Sequence, residues 1–261
     1  MITAYLGPED SYSYLAAQKM TPSHVLKAYD SFPLIFRALT SGEADCAVIP
    51  IENSLNGEVT QNIDLLQASD AIVAVEECAV EIEHRLATLG KPERIKRVYS
   101  HRQALDQCAE YLFAHFPKAK LIAVPSTSAS LEMIKTNEDA GIVGAHVRRE
   151  GIILSKENIA DCAENATVFL KLVRGAIDGS ARTRKIYFSV TCPNVSGALI
   201  KLLQSVAAHG LNMTKLQSRP IKEARDEFRF FIEAEGDYSK LKSAVADISA
   251  AALSFKLLGA Y

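Results

Sequence analysis

Three hydroxyl-rich segments of this chain have the position and composition expected of an anion-binding site. Each follows a predicted strand and opens a predicted helix: Ser11-Tyr12-Ser13, Ser100-His101 and Ser126-Thr127-Ser128. Backbone N–H groups at a helix N-terminus attract anions, and the carboxyl ends of the strands in an α/β sheet bring such turns together at a cleft. The position of these segments therefore predicts that anion-binding turns gather at one cleft.

Metal and redox chemistry are not indicated by the sequence. The six histidines are dispersed, and the five cysteines contain no C-x-x-C pair. This pattern predicts neither a metal site nor a disulfide framework, and it favours reduced thiols in a cytoplasmic protein. We expect no cofactor.

Charge and hydropathy argue against two further classes of partner. The net charge is −2 and the Lys and Arg residues are scattered, so we expect no nucleic-acid or anionic membrane surface. No apolar run approaches the ~20 residues that span a bilayer, and the first residues lack the basic and apolar regions of a signal peptide.

The predicted elements suggest two domains in the 261 residues. Strands and helices alternate up to Val173, including a helix over Gln103–His115, and this order is typical of parallel α/β sheets. The segment Arg174–Arg184 is polar and without periodicity, which predicts a linker. From Lys185 onward the predicted order is βαββαβ.

The segment from Pro193 to Pro220 is the most specific feature of the second half. It comprises a Gly-containing turn at Gly197-Ala198-Leu199, a helix, and a strand that ends on Gln217-Ser218-Arg219-Pro220. It resembles the start of an ACT domain, a small βαββαβ module that senses amino acids. The resemblance implies a regulatory ligand site and a homodimer or dimer of dimers formed through ACT pairing.

Five motifs of the first half occur in the order and spacing of the prephenate dehydratase family. With the ACT pattern, the resemblance covers almost the whole chain. No chorismate mutase segment precedes the motifs, so the chain resembles the monofunctional members. The motifs are Tyr5-Leu6-Gly7-Pro8-Glu9, Pro50-Ile51-Glu52-Asn53-Ser54, Ser100-His101 with Gln103 and Gln107-Cys108, Ser126-Thr127-Ser128, and Asn165-Ala166-Thr167-Val168-Phe169.

This resemblance implies an α/β fold in two parts. A catalytic domain over residues 1–177 would consist of two lobes, like a periplasmic binding protein, and a βαββαβ ACT domain would occupy residues 185–261. The first lobe would hold about residues 1–77 and 161–177, and the second about residues 78–160.

The resemblance also implies an activity and its effector. The family converts prephenate to phenylpyruvate, with loss of water and carbon dioxide, in L-phenylalanine synthesis, and L-phenylalanine regulates it through the ACT domain. Because the ring becomes aromatic, a hydrogen-bond or proton donor beside the departing hydroxyl is sufficient help. No metal, nicotinamide or flavin is required.

Site residues follow from the matching positions. By resemblance Thr167 is the catalytic residue. The residues implied to bind substrate are Ser11, Glu52, Asn53, Ser54, Ser100, Gln107, Ser126, Thr127 and Phe169. The residues implied to bind the regulatory ligand are Asn194, Gly197, Ala198, Leu199, Gln217, Ser218, Arg219 and Pro220.

The residue types alone indicate structural roles for several of these positions. Thr167 is an ordinary β-branched strand residue, and Asn53 is an ordinary turn former. Ser100 and Gln103 have the spacing of a capping box at a helix start. Glu52 either fixes its loop or titrates in the cleft.

Four positions depart from the family pattern. Asp10 stands where the family often has Gly, and we interpret it as a helix-start residue that faces solvent. Val168 stands where the family has Arg; neighbours in a strand face opposite sides, so that Arg is either a support or a contact. Loss of this Arg would weaken anion binding, shift substrate choice or indicate lost activity. Arg102, which stands where the family has Pro, is a candidate to restore the positive charge. Gln217 replaces a Glu, which predicts weaker feedback or another ligand.

Two other classes of function stay open on the sequence. One is a relative of altered specificity, either an arogenate dehydratase or a hydrolase that uses a cleft Ser, although no Gly-x-Ser-x-Gly elbow is present. The other is a non-catalytic amino-acid-binding sensor. For the regulatory part, the alternative to ligand binding is an ACT domain kept only for dimerisation.

Overall fold

The computed structural model describes residues 1–175, 184–221, 227–236 and 238–261. The strands in these ranges are β1 Ile2–Leu6, β2 Val25–Tyr29, β3 Cys46–Asn53, β4 Gly57–Glu58, β5 Ile72–Glu81, β6 His84–Thr88, β7 Arg97–Ser100, β8 Lys120–Ala123, β9 Asp139–Gly144, β10 Ile153–Leu154, β11 Ala166–Arg174, β12 Lys185–Thr191, β13 Asn212–Pro220, β14 Phe228–Glu235 and β15 Ser254–Ala260. The α-helices are α1 Tyr12–Met20, α2 Phe32–Ser41, α3 Thr60–Ala68, α4 Arg102–Asp106, α5 Ala109–His115, α6 Ser130–Met133, α7 Ala198–Ala208 and α8 Tyr238–Ala251.

The chain divides into two compact units, and the long strands β3, β5 and β11 contribute residues to both. Unit 1 consists of Met1–Ile35, Val48–Val59 and Cys78–Phe169. Unit 2 consists of Phe36–Ala47, Thr60–Glu77 and Leu170–Tyr261.

Unit 1 contains two sheets with helices packed against them. One sheet has the order β11-β3-β1-β2, with β1 and β2 parallel. The other has the order β10-β6-β9-β7-β8, in which β7 is parallel to both β8 and β9 while β6 is antiparallel to β9. Buried apolar side chains on α1, β1, β3 and β11, among them Tyr5, Ala16, Val48 and Phe169, form the core of the first sheet.

Unit 2 holds the predicted βαββαβ element order. Its antiparallel strands follow the order β13-β14-β12-β15, and α7 and α8 cover one face of this sheet. The core between them contains Phe188, Val206, Ile232 and Ile248, each almost completely buried. Strand β13 forms the edge of the sheet, and within the described residues its outer side has no strand partner.

The helix predicted over Gln103–His115 is broken into α4 and α5. The break has a cause distant in sequence, because the Asp161 carboxylate accepts hydrogen bonds from the backbone N–H groups of Glu110 (3.1 Å) and Tyr111 (3.2 Å) and so caps α5. The backbone N–H of Asp161 also donates to the carbonyl of Gln107 at 2.8 Å. Gln107 is thereby placed at the end of α4.

Four strands of unit 1 were not predicted, of which β4 and β10 are only two residues long. β2 is short and half exposed, so it lacks the apolar alternation of a core strand. β6 begins with the polar pair His84 and Arg85, which obscures the pattern. None of the described helices combines the length and the apolar composition of a membrane-spanning segment.

Candidate functional site

A cavity of about 520 Å³ opens in unit 1 and brings together most of the predicted motifs. We call it the Thr167 cleft. The predicted site residues that line it are Asn53, Gln107, Ser126, Thr127, Thr167 and Phe169. Its other lining residues are Leu6, Tyr12, Ser13, Pro50, Asn56, Gly57, Glu58, Val59, Ile82, His84, His101, Gln103, Ala104, Pro125 and Asn165. A larger concavity of unit 1, of about 590 Å³, contains no predicted site residue.

Thr167 and Phe169 both line the cleft because they stand two residues apart on β11. Side chains alternate along a strand, so Val168 between them faces the other side and does not line the cleft. Position 168 therefore lies behind the cleft wall. Arg102 does not replace a charge there either, because it is largely exposed and pairs with Asp106 at 3.1 Å.

Asn53, at the end of β3, connects the Thr167 hydroxyl to the backbone. Its Oδ1 atom accepts hydrogen bonds from the backbone N–H groups of Leu55 (3.1 Å) and Asn56 (3.0 Å). Backbone nitrogens can only donate, so the Asn53 atom that faces them must be the amide oxygen, and the other atom must be Nδ2. The Asn53 Nδ2 group then donates to Asn165 Oδ1 at 2.8 Å and to Thr167 Oγ1 at 3.0 Å.

This contact determines what the Thr167 hydroxyl has left to offer. A hydroxyl has one hydrogen to donate and two lone pairs to accept with. Because Oγ1 already accepts from Asn53, its own hydrogen is available for a molecule in the cleft. Thr167 is thus arranged as a hydrogen-bond donor.

The polar network continues from Asn165 to a buried histidine. Asn165 Nδ2 donates to Gln107 Oε1 at 3.5 Å, and Gln107 Oε1 lies 2.9 Å from His84 Nε2. Both His84 and Asn165 are buried, at 3% exposure each. Burial lowers the pKa of His84 below its usual range, with the Gln107 contact opposing this, so the imidazole is neutral at pH 7.

Ser11 and Ser54 do not line the cleft. Ser11 is the N-cap of α1: its hydroxyl accepts the backbone N–H of Tyr14 at 3.1 Å and donates to the Leu6 carbonyl at 3.3 Å. The Ser54 hydroxyl accepts the backbone N–H of Ala166 at 3.0 Å, and so ties β3 to β11. Ser13, next to the cap, is the serine of this segment that reaches the cleft.

The predicted capping box of Ser100 and Gln103 is wrong. Helix α4 is capped by His101, whose ring nitrogen accepts the backbone N–H of Gln103 at 3.3 Å. Ser100 is completely buried and donates to the Ile142 carbonyl at 2.8 Å, which connects β7 to β9. Its hydroxyl has a structural partner and lies outside the cleft lining.

Three further predicted residues differ in what they can contribute. Glu52 is half-buried on β3 and lies outside the cleft lining. Ser126 lines the cleft while its hydroxyl accepts the backbone N–H of Ala129 at 3.0 Å, and Thr127 lies beside it. Ser126 and Thr127, together with Ser13, are thus the serine and threonine residues of the predicted hydroxyl-rich turns that line the cleft.

Several cleft residues were missed by sequence reasoning. Tyr12 donates its hydroxyl to the Glu83 carbonyl, and burial raises its pKa well above the usual range, so it stays protonated. Asn165 stands in a quoted motif without an assigned role. His84 is a single histidine with no motif around it, and nothing in its sequence neighbourhood identifies it.

The groups of the cleft that can bind an anion are neutral hydrogen-bond donors. No Lys or Arg is among its described lining residues, and Glu58 is an acidic side chain there. Within the described ranges, no group of three or more His, Cys, Asp or Glu side chains is arranged to hold a metal ion. Burial raises the pKa of the Cys108 thiol to about 12, which makes it a poor nucleophile.

A hydrolytic pair is not assembled from the cleft serines. His84 contacts Gln107 and His101 caps α4, so both cleft histidines have other partners. Ser126 accepts a backbone N–H. Among the described contacts, neither Ser13 nor Ser126 has a histidine as general base.

The predicted regulatory residues lie on two segments of unit 2. Gly197 has a φ of +82° and precedes α7, a left-handed conformation that favours glycine. Ala198 and Leu199 follow half-buried, while Asn194 is exposed. On β13, Ser218 and Pro220 are exposed, and Gln217 and Arg219 face the other side of the strand.

Contacts with three described residues hold the Arg219 guanidinium in place. It donates to Asp64 Oδ1 on α3 at 2.8 Å and to Gln217 Oε1 at 3.2 Å, and it lies 4.9 Å from the centre of the Phe231 ring. On the same sheet face, Ser189 donates to Gln67 Oε1 at 2.5 Å and Lys256 to the Gln67 carbonyl at 2.6 Å. This face of the sheet therefore packs on α3.

Comparison with known proteins identifies a family for each of the two predicted parts of the chain. The prephenate dehydratase family model matches residues 3–176, and the ACT domain model matches residues 186–250. A prephenate dehydratase of Lactococcus lactis subsp. lactis (strain IL1403) is 33% identical over 271 residues, covering 100% of this chain and 97% of the relative.

Solved structures share the fold. A prephenate dehydratase from Arthrobacter aurescens, in complex with L-Phe, superposes with a TM-score of 0.88 at 26% identity and covers 100% of this chain and 90% of that chain. GqqA, described as a novel type of quorum-quenching acylase, gives a TM-score of 0.87 at 24% identity over 100% of this chain and 97% of that chain. At that identity the second likeness shows the fold alone.

The predicted fold class is confirmed: an α/β part like that of the prephenate dehydratases, followed by an ACT domain. The family model covers well over half of the chain, and the Lactococcus relative is similar from end to end. The chain belongs to the prephenate dehydratase family.

Proposed function

We propose that this protein is a prephenate dehydratase that converts prephenate to phenylpyruvate, water and carbon dioxide. The observation that carries the proposal is the Thr167 hydroxyl, which lines the cleft and accepts from Asn53 so that its hydrogen is free. Family membership over the whole chain supports the same activity.

The reaction breaks two bonds and needs one proton donor. As the ring carboxylate leaves as carbon dioxide, its bonding electrons move through the ring and expel the hydroxyl at the opposite carbon. A hydrogen bond from Thr167 stabilises the negative charge on the departing oxygen, and a proton delivered there completes water. Aromatisation drives the step, so no metal or redox group takes part in it.

The second carboxylate and the side chain of prephenate need donors that hold the molecule in place. We propose that the amide of Gln107 and the hydroxyls of Ser126 and Thr127 supply them, because all three line the cleft with Thr167. Phe169, buried on the same face of β11, gives an apolar surface for the ring.

Incubation of the purified protein with prephenate tests the activity. Phenylpyruvate, followed by its absorbance in alkali, is expected to accumulate at a rate proportional to enzyme concentration. A folded protein that leaves prephenate unchanged would contradict the proposal.

We also propose that L-phenylalanine inhibits the enzyme through the ACT domain. The match to the ACT family and the L-Phe complex of the Arthrobacter relative support this effector. Helix α3, which contacts Arg219, begins directly after the cleft-lining residue Val59 in the chain. A ligand that moves Arg219 would therefore act on the helix that continues the cleft segment.

Replacing Asp64 by asparagine is expected to weaken inhibition by L-phenylalanine. The change removes the negative charge from the ion pair with Arg219, whose own side chain is mostly buried while Asp64 is exposed. A pair near the surface is worth about 0.2–1 kcal/mol, which corresponds to at most about a fivefold change in the inhibitory concentration. The measurement is the L-phenylalanine concentration that halves turnover.

The matched control is Asp70→Asn, which breaks the Lys256 pair on the same face without touching Arg219. This variant is expected to show the same inhibition curve with L-phenylalanine as wild type. Identical curves for wild type and the Asp64 variant would exclude Arg219 and α3 from the response.

We propose a homodimer, or a dimer of dimers, formed through ACT pairing. The outer edge of β13, which has no strand partner among the described residues, and the exposed apolar side chains of Val195 and Ile200 support this assembly. Sedimentation at several concentrations tests it. The domain boundaries at residues 177 and 185, the lobe boundaries and the cytoplasmic location stay predictions.

A further inference from the structure

His84 is the most deeply buried ionisable group of the Thr167 cleft, and neither the motifs nor the proposed reaction assigns it a role. It stands at the start of β6 with 3% of its surface exposed. One ring nitrogen, Nε2, lies 2.9 Å from Gln107 Oε1. Among the described residues, the other ring nitrogen and the Gln107 Nε2 atom are buried without a hydrogen-bond partner.

The direction of each hydrogen bond in this network can be deduced from the backbone. Asn53 Oδ1 accepts two backbone N–H groups, so Asn53 Nδ2 faces Asn165 Oδ1. The Asn165 amide is thereby oriented with Nδ2 towards Gln107, which requires Gln107 Oε1 to be the acceptor.

The orientation of Gln107 in turn determines the tautomer of His84. An acceptor at Gln107 Oε1 needs a donor opposite it, so the proton of the neutral imidazole must be on Nε2. Lowering of the His84 pKa by burial agrees with an uncharged ring. Two donors, from His84 and Asn165, therefore converge on the Gln107 carbonyl oxygen.

We propose that His84 is a positioning residue: its Nε2–H fixes the Gln107 carbonyl and so turns the Gln107 NH₂ group towards a carboxylate of the substrate. The idea rests on the proposed function for the identity of that carboxylate. The NH₂ group is buried, has two hydrogens to donate and has no described protein partner. The described cleft lining contains no Lys or Arg, so the Gln107 amide is one of the neutral donors available to a carboxylate.

The proposal predicts an effect on substrate binding rather than on the chemical step. His84→Leu removes the donor, frees the Gln107 amide to rotate and is expected to raise KM about tenfold with kcat nearly unchanged, since a binding contact equal in ground and transition states is lost. His84→Gln, which retains an N–H donor near the Nε2 position, is expected to stay within about threefold of wild type on the same hydrogen-bond scale.

A double-mutant cycle separates positioning from packing. Gln107→Leu should raise KM by about as much as His84→Leu, and adding His84→Leu to Gln107→Leu should change KM less than about twofold, because the residue acts through Gln107. Additive effects, or a fall in kcat without a rise in KM, would overturn the proposal. If His84→Leu fails to fold, the His84→Gln variant and the spectrum described next decide.

The tautomer of His84 can be determined without measuring enzyme turnover. Nitrogen NMR of the protein labelled at histidine, with the His84 signals assigned by their loss in His84→Gln, is expected to show a protonated Nε2 and an unprotonated Nδ1 at pH 7. A proton on Nδ1, or an imidazolium, would refute the proposal. An enzyme inert towards prephenate would contradict the proposed function while leaving this spectrum interpretable.

Discussion

Replacing Thr167 by valine is expected to lower kcat for prephenate by about 10²- to 10⁴-fold, the range for loss of a positioned proton donor. Valine has nearly the same shape as threonine, so the strand and the apolar contacts of β11 persist. Asn53 Nδ2 loses one acceptor but keeps Asn165 Oδ1 and the Ala166 carbonyl. The fold should therefore lose no more than about 1 kcal/mol.

Thr167→Ser is the matched control, because it restores a hydroxyl at the same position. Its turnover is expected to lie much closer to wild type than that of the valine variant. Thermal unfolding of both variants separates a catalytic loss from a folding defect. A valine variant that retains most of the wild-type kcat would remove the hydroxyl from the mechanism.

Asn53→Asp is expected to be almost as damaging, although it changes a single group. One carboxylate oxygen can still accept from Leu55 and Asn56, but the other replaces Nδ2 and faces Asn165 Oδ1 and Thr167 Oγ1. A carboxylate cannot donate, so the Thr167 hydroxyl turns to donate to it and is lost to the substrate. We expect kcat to fall by about 10²-fold, the lower end of the range for proton donors.

The pH dependence of kcat for Asn53→Asp shows whether a reversed hydrogen bond of the Thr167 hydroxyl causes the loss. The introduced carboxyl is largely buried, and one of its oxygens faces the acceptors Asn165 Oδ1 and Thr167 Oγ1. Both factors raise its pKa above the ordinary value of about 3.9, while the N–H groups of Leu55 and Asn56 at the other oxygen oppose the rise. Its protonated form can donate to Thr167 Oγ1 as the amide does, so kcat relative to wild type should rise as the pH falls towards that pKa. A constant ratio of kcat across pH would contradict reversal of the hydroxyl.

Much of the fold could be predicted because its signals are local. Ser11 opens α1 as expected, and the six elements from Lys185 onward follow from apolar periodicity and from turns such as Gly197. The broken helix at Gln107 could not be found in this way. Its break depends on Asp161, a capping group some fifty residues away in sequence.

The site was predictable to the level of motifs but not of contacts. Resemblance indicated Thr167, Asn53 and Gln107, which the structure brings to one cleft. It could not show that Ser100 is tied to a neighbouring strand, because that bond joins residues far apart in sequence. His84 escaped notice for the same reason, since its significance comes from packing beside Gln107.

The position of Val168 illustrates what strand geometry adds to a motif. A substitution at a family Arg suggests lost anion binding when only the sequence is considered. On β11 its neighbours Thr167 and Phe169 line the cleft while Val168 does not. The departure is therefore compatible with an intact cleft surface in this chain.

Turnover of prephenate by wild type, Thr167→Val and Thr167→Ser, measured side by side at saturating substrate, decides whether the Thr167 hydroxyl takes part in the reaction. We expect phenylpyruvate formation by wild type, a substantial part of that rate with serine and a loss of at least about 10²-fold with valine. Equal rates for wild type and the valine variant would contradict this role of the hydroxyl, and a folded wild-type protein without turnover would contradict the activity itself.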